Sequence, residues 1–242
     1  GEQALNVGRQ GVLAAGWPEI VPATTIDRQC GSSQQAAHFA AQGVLAGAYD
    51  IVVACGVESM SRVPRVSATM GADAYGPSIA ARYPDGLVNQ GVSAELISVK
   101  WGLDRTELDE FAARSHRLAA ASTETGAFKN EIVPVTVKGR KQDAVVAADE
   151  APRRETSLEA LAALAGLVSA EGSHTAGNSP GVNDGAAALV LASQEWAAAN
   201  GREPLAEVVA HAQSANDFAL LATTPAPAAR KGATAASMPM AT

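Results

Sequence analysis

Residues 27–58 read DRQCGSSQQAAHFAAQGVLAGAYDIVVACGVE, and this stretch decides the predicted fold. The segment 23–29 leads into it and is rich in β-branched side chains, which predicts an extended strand. Residues 32–48 repeat polar and apolar side chains at helical spacing and predict a helix. Residues 50–58 form an apolar run without alternation, which predicts a strand buried on both faces. Strand, helix and strand joined by short links predict a parallel βαβ unit, and therefore an α/β fold.

Composition limits the class of protein. The chain has 242 residues, of which 47% are hydrophobic and 18% charged, enough for one large domain or two smaller ones. The net charge of −7 argues against nucleic acid or an anionic membrane as the main partner. No apolar run approaches the ~20 residues that a membrane-spanning helix needs. Two cysteines give neither a disulfide framework nor zinc-type spacing, so we expect no metal site and a reduced, cytoplasmic setting.

Cys30 lies where the predicted strand gives way to the predicted helix. Backbone N–H groups and the positive end of a helix dipole favour the thiolate, which is the nucleophilic form of cysteine. The same N–H groups could hold an oxyanion on a thioester carbonyl, and Gly31 leaves room for a substrate. Position alone leaves two alternatives for Cys30, an acyl-accepting nucleophile and a buried structural cysteine. Cys55, inside the apolar run, is predicted to be a core residue.

No histidine is predicted to act as the base for Cys30. His38 lies eight residues further on, about 12 Å along a helix, and is predicted to belong to a polar stripe. His116 is predicted on a solvated helix face, and His174 and His211 lie outside any recognisable catalytic pattern.

The rest of the chain predicts a mixture of elements. Residues 62–91 are rich in glycine and proline and predict an irregular insertion. Further predicted elements are helices over 92–102 and 106–126, a hairpin over 131–149, a buried strand over 184–193, a short helix over 193–200 and a disordered tail after Leu221. Thr106 and Asp109 are predicted to form a capping box.

A long and specific resemblance adds to these predictions. Residues 24–64, which contain TTIDRQCGSSQQ, resemble the nucleophile region of the thiolases, the acetyl-CoA acyltransferase family. The similarity reaches about Arg230–Lys231 and continues through GLVNQGVSAELISVKWGLDR (86–105), GAFKNEIVPVTVKGRKQD (126–143), SLEALAAL (157–164) and HTAGNSPGVNDGAAALVLAS (174–193).

The resemblance implies a fold and a division into domains. The expected fold is the α/β, layered thiolase-like fold, incomplete here and carrying an inserted α+β loop domain. Residues 1–60 and 183–203 would form the N-terminal thiolase half, and residues 61–182 the loop domain that covers coenzyme A. Residues 204–242 would begin the C-terminal half and end in a disordered tail.

The resemblance also implies site residues. Cys30 would be the cysteine acylated during turnover, with its backbone N–H in an oxyanion hole. The other matching positions would contact coenzyme A or the acyl group: Arg153 near the adenine–phosphate end, Ser179, Pro180 and Gly181 along the pantetheine channel, and Asn89 and Gln90 near the acyl pocket. From the residues alone, Arg153 is equally an exposed basic side chain, and 179–181 an ordinary loop before a strand.

The chain also departs from the family pattern. The family's NEAF, GHP and CxGGG motifs, which supply an asparagine, the activating histidine and a second cysteine, do not occur in the sequence. Near Leu164 the chain has LAG where the family usually has LRP. We therefore expect a fragment truncated at both ends, with a frameshifted product or a separate short protein as alternatives.

Three functions remain open. The first is a thiolase-type acyltransferase that moves acyl groups between CoA thioesters through an acyl-cysteine, by thiolysis or Claisen condensation. The second is a non-catalytic, thiolase-like CoA-binding remnant or subunit. The third is a ketoacyl-synthase-type enzyme, which would need two catalytic histidines that the sequence does not show. The first implies acyl-CoA and CoA as substrates, no tightly bound cofactor, a homodimer or homotetramer, and a place in fatty acid or lipid metabolism such as β-oxidation.

Overall fold

The structure, a computed structural model, describes residues 5–239 and divides into two compact units. Within the described chain, the first unit comprises 5–82, 182–213 and 228–239, and the second comprises 83–181 and 214–227. The predicted role of residues 61–182 as a covering domain stays a prediction.

The helices and strands are short apart from two helices of the second unit and one of the first. In chain order they are α1 (Val7–Ala14), α2 (Ser32–Leu45), β1 (Ile51–Ser59), α3 (Gly76–Arg82), α4 (Gln90–Trp101), α5 (Arg105–Glu124), β2 (Val135–Val137), β3 (Ala144–Val146), α6 (Leu158–Ala162), β4 (Asp184–Ala192), α7 (Gln194–Ala199) and α8 (Pro225–Ala235). Single 3₁₀ segments lie at Ser67–Thr69 and Phe218–Thr223.

The strand predicted over residues 23–29 does not form. Its neighbours in the chain are held by side chains of α1 instead: Arg9 donates to the carbonyl oxygens of Val21 at 2.5 Å and Glu19 at 2.6 Å. Asn6 likewise donates to the carbonyl oxygen of Ala23 at 2.8 Å. A strand needs a partner for its backbone groups, and no strand of the described residues pairs with this segment.

The sheet of the first unit consists of β1 and β4, which run antiparallel with Cys55 opposite Ala188. The parallel βαβ unit predicted around α2 does not form in the described chain, because residues 23–29, which would supply its first strand, are not a strand. The prediction that both strands are buried on both faces is also wrong, since Leu189 of β4 is 60% and Val57 of β1 43% exposed. Helix α2 packs against this sheet, and in the part of the first unit that the structure describes no other helix or strand packs substantially against it.

Most of the buried apolar side chains of the described chain are alanines. Ala40, Ala41, Ala54 and Ala197 are buried in the first unit. In the second unit, Leu161 is 4% exposed and packs where α6 meets α5. Small alanine side chains let helices and strands approach closely, but each contributes little apolar area, so most of the larger apolar side chains of the described chain stay exposed.

The capping box of α5 begins two residues earlier than the predicted one. Asp104 is the N-cap and accepts from the backbone N–H of Glu107 at 2.9 Å, while the Glu107 carboxylate accepts from the N–H of Asp104 at 2.9 Å. The predicted pair Thr106 and Asp109 lies inside the helix, where Asp109 has a different role described below. The predicted hairpin is confirmed, with β2 and β3 as its short antiparallel strands.

The tail after Leu221 is not disordered over its described part. Helix α8 occupies Pro225–Ala235, and residues 240–242 of the predicted tail lie outside the described residues. Proline is tolerated in the first turn of a helix because the N–H groups there have no partner within the helix. Pro225 and Pro227 both fall in that turn, and the alanines that follow favour the helix.

Candidate active site

Cys30 lies directly before α2, in a tight turn of residues 28–32. Gly31 donates to the carbonyl oxygen of Arg28 at 3.0 Å, and the N–H of Ser32 donates to that of Gln29 at 3.2 Å. The Ser32 hydroxyl accepts from the N–H of Arg28 at 2.9 Å and donates to the Gln29 oxygen at 2.7 Å. The turn is thus fixed by hydrogen bonds around an exposed thiol.

The residue before the cysteine has an unusual backbone conformation. Gln29 has a φ of 48°, in the left-handed region that residues with a side chain rarely occupy. Such conformations cost about 1–3 kcal/mol and concentrate at functional sites. The backbone reverses direction at Gln29, so that Cys30 lies in the turn that leads into α2.

The N-terminus of α2 is open to an anion. Its N-cap is Gly31, which has no side chain to bond the first-turn amides. The amides of Gly31 and Ser32 donate to carbonyl oxygens within the preceding turn. A helix of 14 residues has its full dipole. The arrangement can therefore stabilise negative charge near the thiol of Cys30 or on a carbonyl oxygen that it attacks.

Cys55 is exposed, so its prediction as a core residue is wrong. It lies on β1 at a cavity of about 310 Å³ that is also lined by Ser33, Gln34 and Leu189. The close approach of α2 to β1 requires glycine at position 56, because a Cβ there would lie 1.8 Å from the Ser33 hydroxyl oxygen. The thiol is accessible because small residues line this cavity, and no side chain among the described residues of the first unit occupies it.

A histidine pair lies further along α2. The rings of His38 and His211 stack with centroids 5.2 Å apart, and Gln42 Nε2 lies 3.3 Å from His211 Nε2. Burial lowers the pKa of His38 below its ordinary value of 6.5, and the neighbouring His211 and Arg28 lower it further. His38 therefore faces a second imidazole, and Gln42, one turn further along α2, contacts the same imidazole.

In the second unit, Asn89 and Gln90 form the start of α4. Asn89 is the N-cap, and its side-chain oxygen accepts from the N–H of Val92 at 3.0 Å. Gln90 is the first residue of the helix. The side-chain oxygen of Asn89 is thus engaged in capping, and its amide nitrogen has two further hydrogen-bond donors.

The segment 173–178 precedes Ser179, Pro180 and Gly181 and is anchored to α4. Glu95, on that helix, accepts from the backbone N–H of Ser173 at 3.1 Å, the Ser173 hydroxyl at 2.7 Å and the N–H of His174 at 2.9 Å. Although burial raises the pKa of the Glu95 carboxyl, these hydrogen bonds outweigh it and hold that pKa below its ordinary value. Helix α4 therefore positions Asn89 and Gln90 at its start and also anchors the loop that leads to residues 179–181.

Arg153 is exposed and precedes α6. Its backbone N–H donates to His116 Nδ1 at 3.1 Å, which attaches this loop to α5. The adjacent Arg154 pairs with Glu124 at 2.9 Å, also on the surface. His116, predicted to be solvated, thus accepts a hydrogen bond through one ring nitrogen.

The candidate residues divide between the units. Cys30 belongs to the first unit, and the six predicted coenzyme A contacts belong to the second. Two buried or half-buried carboxylates of the second unit, Glu95 and Asp109, were missed by sequence reasoning. Asp109 had a signal, because Arg105 lies four residues before it on α5, a spacing that pairs opposite charges; Glu95 had none.

Within residues 5–239, no group of three or more histidine, cysteine, aspartate or glutamate side chains is arranged to hold a metal ion. None of the helices described in this range combines the length and apolar character required to cross a membrane.

Sequence and structure comparisons identify the family. The profile of the family described as "Thiolase, N-terminal domain" matches residues 1–195. The chain is 41% identical over 247 residues to a β-ketoadipyl-CoA thiolase of Acinetobacter baylyi, covering 96% of this chain and 61% of that protein. It is also 41% identical over 237 residues to an acetyl-CoA acetyltransferase of Syntrophomonas wolfei, covering 93% and 60%.

A solved structure agrees with this result. The acetyl-CoA acetyltransferase of Bacillus anthracis superimposes with a TM-score of 0.86 at 37% identity, covering 99% of this chain and 62% of that one. The chain belongs to the thiolase family, and the predicted thiolase-like α/β fold class is confirmed. It spans about 60% of the length of the curated relatives it matches and resembles them over nearly its whole extent.

Proposed function

We propose that the chain supplies the acyl-accepting cysteine and part of the CoA-binding surface of a thiolase-type acyltransferase. The observation that supports this most directly is the exposed Cys30 at the N-terminus of α2 in a chain of the thiolase family. Cys30 is the proposed nucleophile, and the coenzyme A contacts are proposed to be Arg153, Ser179, Pro180, Gly181, Asn89 and Gln90.

The proposed chemistry follows from that position. The Cys30 sulfur attacks the thioester carbonyl of an acyl-CoA, a new carbon–sulfur bond forms, and the CoA thiolate leaves with the electron pair of the bond that breaks. Negative charge on the carbonyl oxygen is stabilised by the N-terminus of α2 and, as proposed, by the backbone N–H of Cys30. In condensation the acyl group then passes from sulfur to the carbanion of a second acetyl-CoA. In thiolysis the sulfur instead attacks the 3-keto carbon of a 3-ketoacyl-CoA, the bond between carbons 2 and 3 breaks, acetyl-CoA leaves once carbon 2 takes up a proton, and the acyl group passes from sulfur to CoA.

The second candidate is a CoA-binding chain that does not turn over by itself. What favours it is that the GHP histidine and CxGGG cysteine, which the family uses to activate the nucleophile and move the α-proton, do not occur among the 242 residues. Acid–base assistance of this kind is worth about 10²–10⁴ in rate. The two candidates share the acylation step and differ in whether the acyl group leaves Cys30.

The wider setting is also part of the proposal. The substrates are proposed to be 3-ketoacyl-CoA or acetyl-CoA thioesters, since the relatives carry the names β-ketoadipyl-CoA thiolase and acetyl-CoA acetyltransferase. Fatty acid or lipid degradation and breakdown of a ketoadipate-type thioester are both compatible with those names. A cytoplasmic homodimer or homotetramer without a tightly bound cofactor is proposed; a reducing compartment keeps a catalytic thiol reactive.

Mass spectrometry tests the proposal. The chain is incubated with acetyl-CoA, quenched and digested, and an acetyl group is expected on Cys30; with acetoacetyl-CoA and CoA, no steady release of acetyl-CoA is expected. Cys30→Ser is expected to abolish the adduct while CoA binding persists, and Cys55→Ser is the matched control that keeps it. Acetylation of Cys55 in place of Cys30 would refute the assignment, and sustained turnover by the chain alone would refute the second candidate.

A further inference from the structure

A buried carboxylate on α5 holds the segment that precedes the proposed coenzyme A contacts. Asp109 is 3% exposed, and its oxygens accept from Arg105 Nε at 2.8 Å and Asn178 Nδ2 at 2.9 Å. Arg105 also donates to the carbonyl oxygens of Leu161 and, at 3.1 Å, Leu164. Asp109 is therefore fixed on one side by an arginine attached to the end of α6, and on the other by the amide of Asn178.

Asn178 passes this restraint to the backbone of its own segment. Its side-chain oxygen accepts from the N–H of Thr175 at 2.8 Å, and its nitrogen also donates to the carbonyl oxygen of Ser173 at 3.0 Å. Thr175 is fully buried, and its hydroxyl accepts from the N–H of Gly177 at 3.1 Å. One side chain thus closes the loop from 173 to 178, and its orientation depends on Asp109.

Gly177 shows how tightly the loop is packed. A Cβ at this position would lie 2.4 Å from Leu161 and 2.7 Å from Leu164. Glu95 holds the start of the same loop from α4, through the three hydrogen bonds to Ser173 and His174 described above. Two carboxylates from two helices therefore fix the loop at its two ends, and Ser179, Pro180 and Gly181 follow directly.

We propose that Asp109 and Glu95 are positioning residues for coenzyme A, acting through Asn178 and the 173–178 backbone on the 179–181 segment. The inference rests on the proposed function, since it takes 179–181 as a coenzyme A contact. A buried carboxylate costs desolvation free energy, and apolar residues of similar volume often stabilise a structure as well or better. What the carboxylates add is one fixed orientation of the backbone that follows, and a preorganised site loses less freedom when its ligand binds.

The test exchanges the two partners of one hydrogen bond. In Asp109→Asn the new side-chain NH2 group must face an N–H donor of either Arg105 or Asn178, so one of the two hydrogen bonds is lost. Asn178→Asp places two carboxylates against each other. The double variant Asp109→Asn/Asn178→Asp restores a donor–acceptor pair between positions 109 and 178 while keeping the net charge. Asp143→Asn is the matched control, because Asp143 pairs with Lys138 at 2.5 Å on the exposed hairpin.

The measurements are the dissociation constant of CoA by calorimetry and the folded fraction by circular dichroism, on the whole chain well below its unfolding midpoint. Each single variant is expected to raise the constant by about tenfold while folded, because one buried partner is left without its hydrogen bond; tenfold corresponds to about 1.4 kcal/mol. The double variant is expected to bind CoA more tightly than Asn178→Asp but less tightly than the parent, because an aspartate at 178 cannot donate to the carbonyl oxygen of Ser173. Asp143→Asn is expected to leave binding unchanged.

A milder variant covers the case in which Asp109→Asn does not fold. Glu95→Gln keeps the shape of a half-buried side chain but sets its amide against a donor of Ser173, and CoA binding is expected to weaken by about threefold or more. Folded variants at either carboxylate with the parent affinity would overturn the inference, as would a double variant no better than Asn178→Asp. Absence of CoA binding by the parent would overturn the proposed function together with this inference.

Discussion

Replacing Gln29 by glycine tests whether the backbone before Cys30 is strained. A left-handed conformation costs a residue with a side chain about 1–2 kcal/mol, and Gln29 has that conformation at φ 48°. Glycine removes this penalty but brings about 0.5–1 kcal/mol of extra chain entropy in the unfolded state. The net expectation is that Gln29→Gly raises the free energy of unfolding by about 0.5–1 kcal/mol.

The substitution changes few other interactions, because the hydrogen bonds that the structure shows at Gln29 come from its backbone. Its N–H donates to the Asp27 carboxylate at 3.1 Å, and its carbonyl oxygen accepts from the Ser32 hydroxyl at 2.7 Å. Both bonds remain available to glycine. A gain of this size corresponds to a rise in the unfolding midpoint of about 1–4 °C for a chain of this length.

The matched control is Gln34→Gly, which places the same change in the first turn of α2 at an equally exposed residue. There the conformation is helical, so glycine is expected to destabilise by up to about 1 kcal/mol. Thermal and urea unfolding followed by circular dichroism measure both variants. Equal destabilisation by the two glycines would refute the argument that Gln29 is strained, and with it the idea that strain holds the corner at Cys30.

Two further predictions concern unit 1. Iodoacetamide is expected to label Cys30 faster than Cys55, because both thiols are exposed but Cys30 lies in the turn that leads into α2, whose positive end stabilises negative charge on the reacting sulfur, whereas Cys55 lies within β1; peptide mass spectrometry after a brief reaction measures the ratio, and faster labelling at Cys55 would contradict it. Since the pKa of His38 is lowered in the folded chain, its contribution to stability is complete above its ordinary 6.5 and is lost as the pH falls through the lowered value. His38→Gln is therefore expected to make urea stability depend less steeply on pH between the lowered value and 6.5, and an unchanged slope in that range would show that the stack with His211 carries no such linkage.

Local patterns in the sequence were enough to identify most helices. The spacing of residues 32–48 predicted α2 and placed Cys30 before its first turn, and the structure has the helix at Ser32–Leu45. The strand over 184–193 and the hairpin over 131–149 were likewise found, because β-branched runs and turn residues act over a few neighbours. The error at Thr106 is of the same local kind, since Asp104 and Thr106 lie two residues apart and both side chains can serve as the N-cap of a capping box.

Pairing and burial were not predictable in the same way. Residues 23–29 have the composition of a strand, yet α1 side chains take the carbonyl groups around them and no strand pairs with them in the described chain. The apolar run of β1 predicted burial, but β4 pairs with it at its edge and leaves Cys55 exposed. Apolar character predicts that a segment can be buried; a second layer must be present for it to be buried.

The sequence by itself determined the family, the helix that follows Cys30 and the positions that match the thiolase site, because these are encoded in residues close together in the chain. Only the tertiary structure decided that β1 and β4 run antiparallel, and that Asp109 binds Asn178. These two residues are 69 positions apart, and Glu95 is 78 positions from Ser173. A carboxylate on a helix carries no mark of the distant amide it will meet, since that contact exists only after the helices and the 173–178 loop have packed together.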